Sequence, residues 1–228
     1  VRILLSSQCL PACTFAEYPT TTTDQMDLAD EAASINAALD SLEEALSLYP
    51  EGFFPQFRSE FGDGGIRIML VGGFESNFNM IGYSVQNSLW HNIYVDIFSE
   101  GLVGTYCHED HITSINPGEF DVVQWAELNP DGFQYIFDPA ESILNEGDYT
   151  YFGSTKPKDC YFIDGYAKTN EREDRARIME YAMTGFFGSE LSEYPHLYAK
   201  LRYMSDKIRQ YFDTTGWSTP RWEDALGE

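Results

Sequence analysis

Short runs of strand-forming residues limit what this chain of 228 residues can fold into. Residues 66–71 alternate and are rich in side chains favoured in β-strands, and Gly72-Gly73 closes the run. Residues 92–97 form a second clear run, and 82–85 is a candidate strand between them. Strands of this number and length predict a small, twisted sheet.

A long amphipathic helix precedes the first clear strand. Between residues 24 and 49, apolar side chains recur at spacings of three and four, as one face of a helix requires. This stripe consists of Ile35, Leu39, Leu42, Leu46 and Tyr49. Pro50 and Gly52 end the helix. The acidic positions fall off the stripe, so we expect the helix to cover the sheet and to carry no chemistry.

Two further helices are predicted in the second half of the chain. One begins after Asn170, a suitable N-cap, and continues through Met183 with acidic residues in its first turn. The other covers residues 195–212, and its predicted core stripe is Leu197, Leu201, Met204, Ile208 and Tyr211. The passages 125–138 and 145–159 are rich in turn residues and are predicted to be loops.

This order of helices and strands predicts one α+β domain over residues 24–228. Its N-terminal lobe would cover about 24–113 and contain the small twisted sheet with its covering helix. A helical C-terminal lobe would cover about 114–228, with a cleft between the two lobes.

The charge of the chain limits its partners. The sequence has 37 acidic and 14 basic residues, a formal net charge of −23. Such a charge repels phosphate backbones and anionic lipid surfaces, so nucleic acid is not expected as a partner. It would favour cationic over acidic peptides as ligands, although a solvated acidic surface is the simpler explanation.

The N-terminal residues have features of a bacterial export signal. An apolar run leads to Leu10-Pro11-Ala12-Cys13, where leucine lies three residues before the cysteine, as in lipoprotein signals. We interpret residues 1–23 as the remnant of such a signal followed by a short tether, with lipid attachment at Cys13. A plain export signal and an accidental match are the alternatives. The interpretation predicts an extracellular or cell-surface protein.

Residues 104–112 place two of the four histidines beside a glutamate. His108 and His111 are three residues apart, which separates them by roughly 60° around a helix and leaves both on one face. The motif His-Glu-x-x-His binds Zn through its histidines while its glutamate polarises the metal-bound water. Here Glu109 follows His108, but the motif is one residue short. Taken alone, the pattern is more typical of a polar helix start that faces water.

A second segment adds to that pattern. Tyr166-Ala167-Lys168-Thr169-Asn170-Glu171-Arg172-Glu173-Asp174 resembles the tyrosine-to-glutamate segment of the anthrax lethal factor-like metallopeptidases. Over residues 24–228 the chain is also similar to bacterial lipoproteins described as zinc-binding metallopeptidases, and residues 48–54, 92–97 and 162–173 carry most of that likeness. The resemblance implies a zincin-like fold of the gluzincin type, with the active site in the cleft between the two lobes.

The resemblance also implies a role for each candidate residue. His108 would be the first ligand of a zinc ion, and Glu173 would be the third ligand. Glu109 would act as the general base, and Tyr166 would donate a hydrogen bond to the oxyanion. Without the resemblance, Tyr166 is a packed aromatic residue and Glu173 an ordinary acid at a helix start.

The second histidine ligand has competing assignments. Counted from His108, the family position falls on Ile112, which cannot bind a metal. Counted from His111, the first ligand falls on Cys107, a competent zinc ligand, but His108 then takes the place of the base. We prefer His108 with His111, because Glu109 stays beside a ligand and only a tightened helical turn is needed.

Together these features predict a zinc-dependent peptide hydrolase of the bacterial cell surface, with activity weakened by the one-residue-short motif. An extended peptide substrate would pair with the strand at 92–97, predicted to be an open sheet edge. The competing hypothesis is a catalytically inactive protein of the same fold that binds a peptide or a surface partner. A glycan-binding or structural lipoprotein is the third alternative, and it leaves the spacing from Tyr166 to Glu173 unexplained.

Overall fold

The computed structural model describes residues 2–5, 22–23, 31–57, 65–75, 82–86, 90–98, 122–136, 151–152 and 157–227. The chain divides into two units, residues 1–107 and 108–228. The lobe boundary predicted from the sequence, near residue 113, falls a few residues later. Helices and an open sheet are both present, which confirms the α+β prediction, while the finer zincin-like assignment stays a prediction.

The first unit contains six described strands and one long helix. They are β1 (Arg2–Leu5), β2 (Thr22–Thr23), α1 (Ala32–Ser47), β3 (Gly65–Val71), β4 (Phe74–Glu75), β5 (Gly82–Gln86) and β6 (Trp90–Asp96). Four strands form one sheet in the order β1-β3-β6-β5, in which β5 alone runs antiparallel to its neighbour. β2 and β4 form a separate antiparallel pair.

Helix α1 packs on this sheet, as the apolar stripe predicted. Its side chains Ile35 and Leu42 are buried in one apolar cluster with inward-facing residues of the two central strands. The strand members of that cluster are Ile66, Ile68, Leu70, Ile93 and Val95. They recur at every second position because side chains of a strand alternate between faces. This layer of helix on sheet is the core of the first unit.

The strand predicted at 92–97 is not a sheet edge, contrary to the expectation from sequence. Ile93 lies opposite Ile68 of β3 on one side and opposite Ser84 of β5 on the other. The prediction is wrong because the short run at 82–86 folds back and pairs with β6. Among the described strands, β5 therefore lies at that end of the sheet.

Part of the segment interpreted as a signal and tether forms β-strands that pair with later strands of the first unit. Arg2–Leu5 pairs in parallel with residues 67–70, and Thr22–Thr23 pairs with Phe74–Glu75. Composition does not separate a short apolar strand from the apolar core of a signal, so the sequence allows either interpretation. Cys13 lies outside the described residues, and its lipid attachment stays a prediction.

The described part of the second unit is built from helices and turns. The helices are α2 (Val122–Ala126), α3 (Glu171–Thr184), α4 (Pro195–Tyr211) and α5 (Arg221–Asp224), with single 3-10 turns at Tyr166–Lys168 and Leu191–Glu193. The long helices α3 and α4 lie where the sequence predicted them. In the described ranges of both units, no helix is long and apolar enough to cross a membrane.

Helix α4 confirms most of its predicted stripe. Leu197, Leu201, Met204 and Ile208 are buried, but Tyr211 is 45% exposed. The last prediction is wrong because the helix ends at Tyr211 and the chain becomes extended at Phe212, which lies against Trp217 instead.

The predicted loop at 125–138 is confirmed over most of its described length, since only the end of α2 enters it. The predicted loop at 145–159 falls largely outside the described residues. The two histidines outside the His108–His111 motif are accounted for by packing. His91 is buried in β6, and the ring of His196 stacks on that of Tyr161 with centroids 3.6 Å apart.

Candidate active site

A tight turn followed by a capped helix carries the two candidate residues that the structure describes. Tyr166 begins a single 3-10 turn, and its carbonyl accepts a hydrogen bond of 3.0 Å from the N–H of Thr169. Glu173 lies in the first turn of α3. Both side chains are half-buried, so each has a face that a ligand could reach.

Asn170 fixes the start of α3, which confirms the predicted N-cap. Its extended backbone, with φ −161° and ψ 172°, separates the 3-10 turn from the helix. Its side-chain oxygen accepts hydrogen bonds from the N–H groups of Arg172, at 2.9 Å, and Glu173, at 3.0 Å. These bonds satisfy two donors that a helix start leaves open. Glu173 is thus held at the positive end of the helix dipole, a position that suits an acidic side chain.

Asp164 connects the turn to the helix. One of its carboxylate oxygens accepts the N–H of Ala167 at 3.0 Å. The other accepts two hydrogen bonds from Arg177, from Nε at 2.9 Å and from Nη2 at 2.5 Å. Arg177 also donates to Glu180, one turn farther along α3. A planar guanidinium held between two carboxylates has little freedom to rotate, so the turn and the helix are fixed to each other.

Directly after Glu173, Asp174 points into the interior and forms an ion pair with Lys200 of α4. The Lys200 nitrogen lies 2.8 Å from the Asp174 carboxylate, and both side chains are 0% exposed. Lys200 also donates to the carbonyl of Tyr161 at 2.7 Å, and the hydroxyl of Tyr135 donates to Asp174 at 2.9 Å. This polar cluster joins α3, α4 and the segment after α2 inside the second unit.

Burial sets the electrostatics of this cluster. It raises the pKa of Asp174 and lowers the pKa of Lys200, and in each case the charge of the partner opposes the shift. Burial and the nearby Asp174 charge also raise the pKa of the Tyr135 hydroxyl. We take the pair as ionised, because each charge has the other and further hydrogen bonds to replace water. Since Asp174 and Lys200 have no exposed surface, the cluster holds the helices together and offers no site to a substrate.

The histidine motif lies outside the described residues. The predicted site residues concerned are His108, Glu109 and His111, with the alternatives Cys107 and Ile112. Their convergence with Tyr166 and Glu173 therefore stays a prediction. Within the described ranges, no three His, Cys, Asp or Glu side chains form a group that could hold a metal ion.

The chemistry of the predicted donor set fits zinc. Imidazole nitrogen and carboxylate oxygen are both ordinary zinc ligands, and three of them leave a fourth position open. Glu173 is held at a defined point by Asn170 and is half-buried, whereas its neighbour Asp174 is enclosed by Lys200. Of these two adjacent acids, Glu173 is the one that a metal could reach.

Sequence reasoning missed Asp164, Arg177 and Lys200. Asp164-Gly165 is a turn signal and could have indicated that the carboxylate holds the turn. Lys200 lies between Leu197 and Leu201 in the stripe of α4, and a lysine on a buried face requires a buried partner. Nothing in the sequence indicates that Arg177 is the partner of Asp164.

Comparison with protein-family models, with curated proteins and with solved structures gives no match for this chain. Its function must therefore be inferred from the residues themselves.

Proposed function

We propose that this chain is a zinc-dependent peptide hydrolase of the gluzincin type, weakened by its short histidine motif, with His108, His111 and Glu173 as zinc ligands. The observation that carries the proposal is the pairing of a 3-10 turn with a capped helix, which holds Tyr166 and Glu173 half-buried at fixed points. The two residues are seven positions apart, the spacing of the lethal factor-like peptidases that the segment resembles.

Each residue of the chain has a distinct task in this proposal. Bound zinc would supply Lewis-acid polarisation of the scissile carbonyl and of the attacking water. Glu109 takes a proton from that water and returns it to the leaving amine. Tyr166 donates a hydrogen bond to the carbonyl oxygen as that oxygen gains negative charge. A surface location, with Cys13 as the lipid-bearing residue, belongs to the same proposal.

A catalytically inactive protein of the same fold, which binds a peptide or a partner, is the second candidate. The observation in its favour is the motif His108-Glu109-Asp110-His111, which is one residue short. The shorter spacing rotates the ligand axis of the helix, and a misplacement of 1 Å can cost roughly a hundredfold in rate. We therefore expect the unmodified chain to bind zinc more weakly than an intact motif and to cleave peptides weakly or not at all.

The test is to insert one residue between Asp110 and His111, which restores His-Glu-x-x-His, and to assay both proteins on a peptide library with added zinc. We expect cleavage to rise on insertion and to disappear again when Glu109→Gln is added. Robust cleavage by the unmodified chain, lost in Glu109→Gln, would show that the short motif is active. If neither protein binds zinc or cleaves a peptide, the hydrolase proposal is wrong and the binding role becomes the better account.

A further inference from the structure

Asp164 and Arg177 have no part in zinc ligation or proton transfer, yet they join the two described members of the site. Asp164 lies two residues before Tyr166, and Arg177 lies one helical turn after Glu173. Both are partly buried, with side-chain exposures of 32% and 19%. Their ion pair closes a loop of chain that contains both candidate residues.

The turn that carries Tyr166 needs such support. A 3-10 turn of three residues has few internal hydrogen bonds, and their geometry is poorer than in an α-helix. Here the backbone bonds are Lys168 N–H to the Gly165 carbonyl, at 3.2 Å, and Thr169 N–H to the Tyr166 carbonyl, at 3.0 Å. The bond from Ala167 N–H to Asp164 adds a third constraint, at the residue next to Tyr166.

We propose that the Asp164–Arg177 pair is a positioning element that sets the direction of the Tyr166 hydroxyl relative to Glu173; this inference rests on the proposed hydrolase function. Asp164 holds the turn with one oxygen and the helix with the other. Arg177 donates to Asp164 from one side of its guanidinium and to Glu180 from the other. The bond to Glu180 therefore limits how far the guanidinium can move when Asp164 moves. A change at Asp164 therefore removes a constraint at the residue next to Tyr166, while Arg177 keeps Glu180 as a partner on the helix.

The geometry of the pair can be tested separately from its contribution to stability. Two hydrogen bonds from one planar guanidinium fix an orientation whatever their net strength. Because the two side chains are mostly buried, the pair also contributes to the free energy of unfolding. The positioning role therefore needs a measurement that reports on Tyr166 itself.

The first measurement needs no metal. We would place 3-fluorotyrosine at position 166 and record its ¹⁹F resonance in the full chain, in Asp164→Ala and in Asp164→Asn. We expect a single narrow line to shift and broaden in Asp164→Ala, and to change less in Asp164→Asn, which keeps an acceptor for Ala167. Asp224→Asn, which removes the exposed Arg221–Asp224 pair of α5, is the matched control and should leave the line unchanged.

A second measurement tests the effect on the site. The probe is a zinc-binding peptide phosphinate, whose anionic oxygen imitates the oxyanion. Loss of one hydrogen bond to a charged oxygen lowers affinity roughly tenfold or more, the change expected for Tyr166→Phe. We expect Asp164→Ala to weaken phosphinate binding severalfold with unchanged zinc content, and to have no further effect once Tyr166→Phe is present.

The outcomes separate this inference from the function on which it rests. An unchanged ¹⁹F line in Asp164→Ala overturns the positioning role, as does a loss of phosphinate affinity that adds in full to that of Tyr166→Phe. Wild-type protein that binds neither zinc nor phosphinate overturns the proposed function, even where the ¹⁹F line moves as expected. A drop in unfolding midpoint alone, with line and affinity unchanged, would assign the pair to stability only.

Discussion

The cores of the two units are built by different means. In the first unit, α1 packs on β3 and β6 through aliphatic side chains such as Leu42 and Ile68. In the second, α3 and α4 meet around the buried charges of Asp174 and Lys200, with Trp125 and Tyr135 beside them. Periodic apolar spacing determines the first core. The second core also buries the apolar stripe of α4, but it adds single polar residues that lie far apart in sequence.

This difference explains what the two cores should tolerate. Truncation of a buried apolar side chain lowers the free energy of unfolding roughly in proportion to the volume removed, and the neighbouring side chains keep their other contacts. A buried ion pair behaves differently, because removal of one partner leaves the other charged and without water. The polar core should therefore be more sensitive to a single substitution than to the loss of both partners.

The largest effect is expected for Lys200→Met. This change leaves the Asp174 carboxylate buried without its partner and should lower the free energy of unfolding by about 3–5 kcal/mol, measured by urea denaturation. Lys207→Met on the same helix is the control and should cost far less, because Lys207 is only half-buried. Adding Asp174→Leu to Lys200→Met should recover much of the loss. A double variant less stable than Lys200→Met would contradict the comparison.

Leu42→Ala tests the apolar core in the same way. Leu42 is 0% exposed between α1 and the sheet, and its truncation should cost about 2–5 kcal/mol. Leu39→Ala, at a partly buried position of the same helix, should cost less. If both variants lost the same free energy of unfolding in urea denaturation, the burial of a side chain in α1 would not determine how much it contributes to stability.

A smaller effect is expected from removal of residues 1–12, the change that processing before Cys13 would make. The loss of the ladder between β1 and β3 should lower the free energy of unfolding by about 1–3 kcal/mol, the scale of a few net hydrogen bonds. Full-length Cys13→Ser is the control for the cysteine itself. An unchanged urea midpoint would show that residues 2–5 add nothing to the sheet and would favour the signal interpretation.

The smallest effect concerns acid. Glu223 is buried, which alone raises the pKa of its carboxyl, but hydrogen bonds from Arg209 and Ser205 hold the pKa below the ordinary value of 4.5. The folded protein thus keeps this carboxylate ionised at a pH where the unfolded chain takes up a proton. The stability it provides is present above pH 4.5 and is lost as the pH falls below that value.

We call the fall in the free energy of unfolding below pH 4.5 the acid limb. In Glu223→Gln this fall should be smaller by about 1 kcal/mol, measured by urea denaturation at a series of acid pH values. Asp224→Asn, at an exposed neighbour in α5, is the control and should leave the limb as it is. An identical acid limb in wild type and Glu223→Gln would contradict the assignment.

The comparison also shows how far a sequence of this kind can be interpreted. The stripe of α1, the strands β3, β5 and β6, and the Asn170 cap follow from local spacing and local chemistry, so they were predictable. The order of the strands was not, because pairing of β6 with β5 depends on contacts between separate runs. Tyr166 and Glu173 were chosen from a resemblance carried by one local segment, and their role at a site stays a prediction. The pairing of Asp164 with Arg177 was not predictable, because it joins a turn to a helix thirteen residues away.

The central claim is that Glu173 is a zinc ligand, and its most direct test is the metal content of protein purified without chelator. The account predicts about one equivalent of zinc in the wild-type chain, lost in Glu173→Ala. It also predicts that zinc is retained in Glu171→Ala, which removes another acid from the same helical turn. Wild-type protein without zinc, or equal zinc in wild type and Glu173→Ala, would contradict the claim.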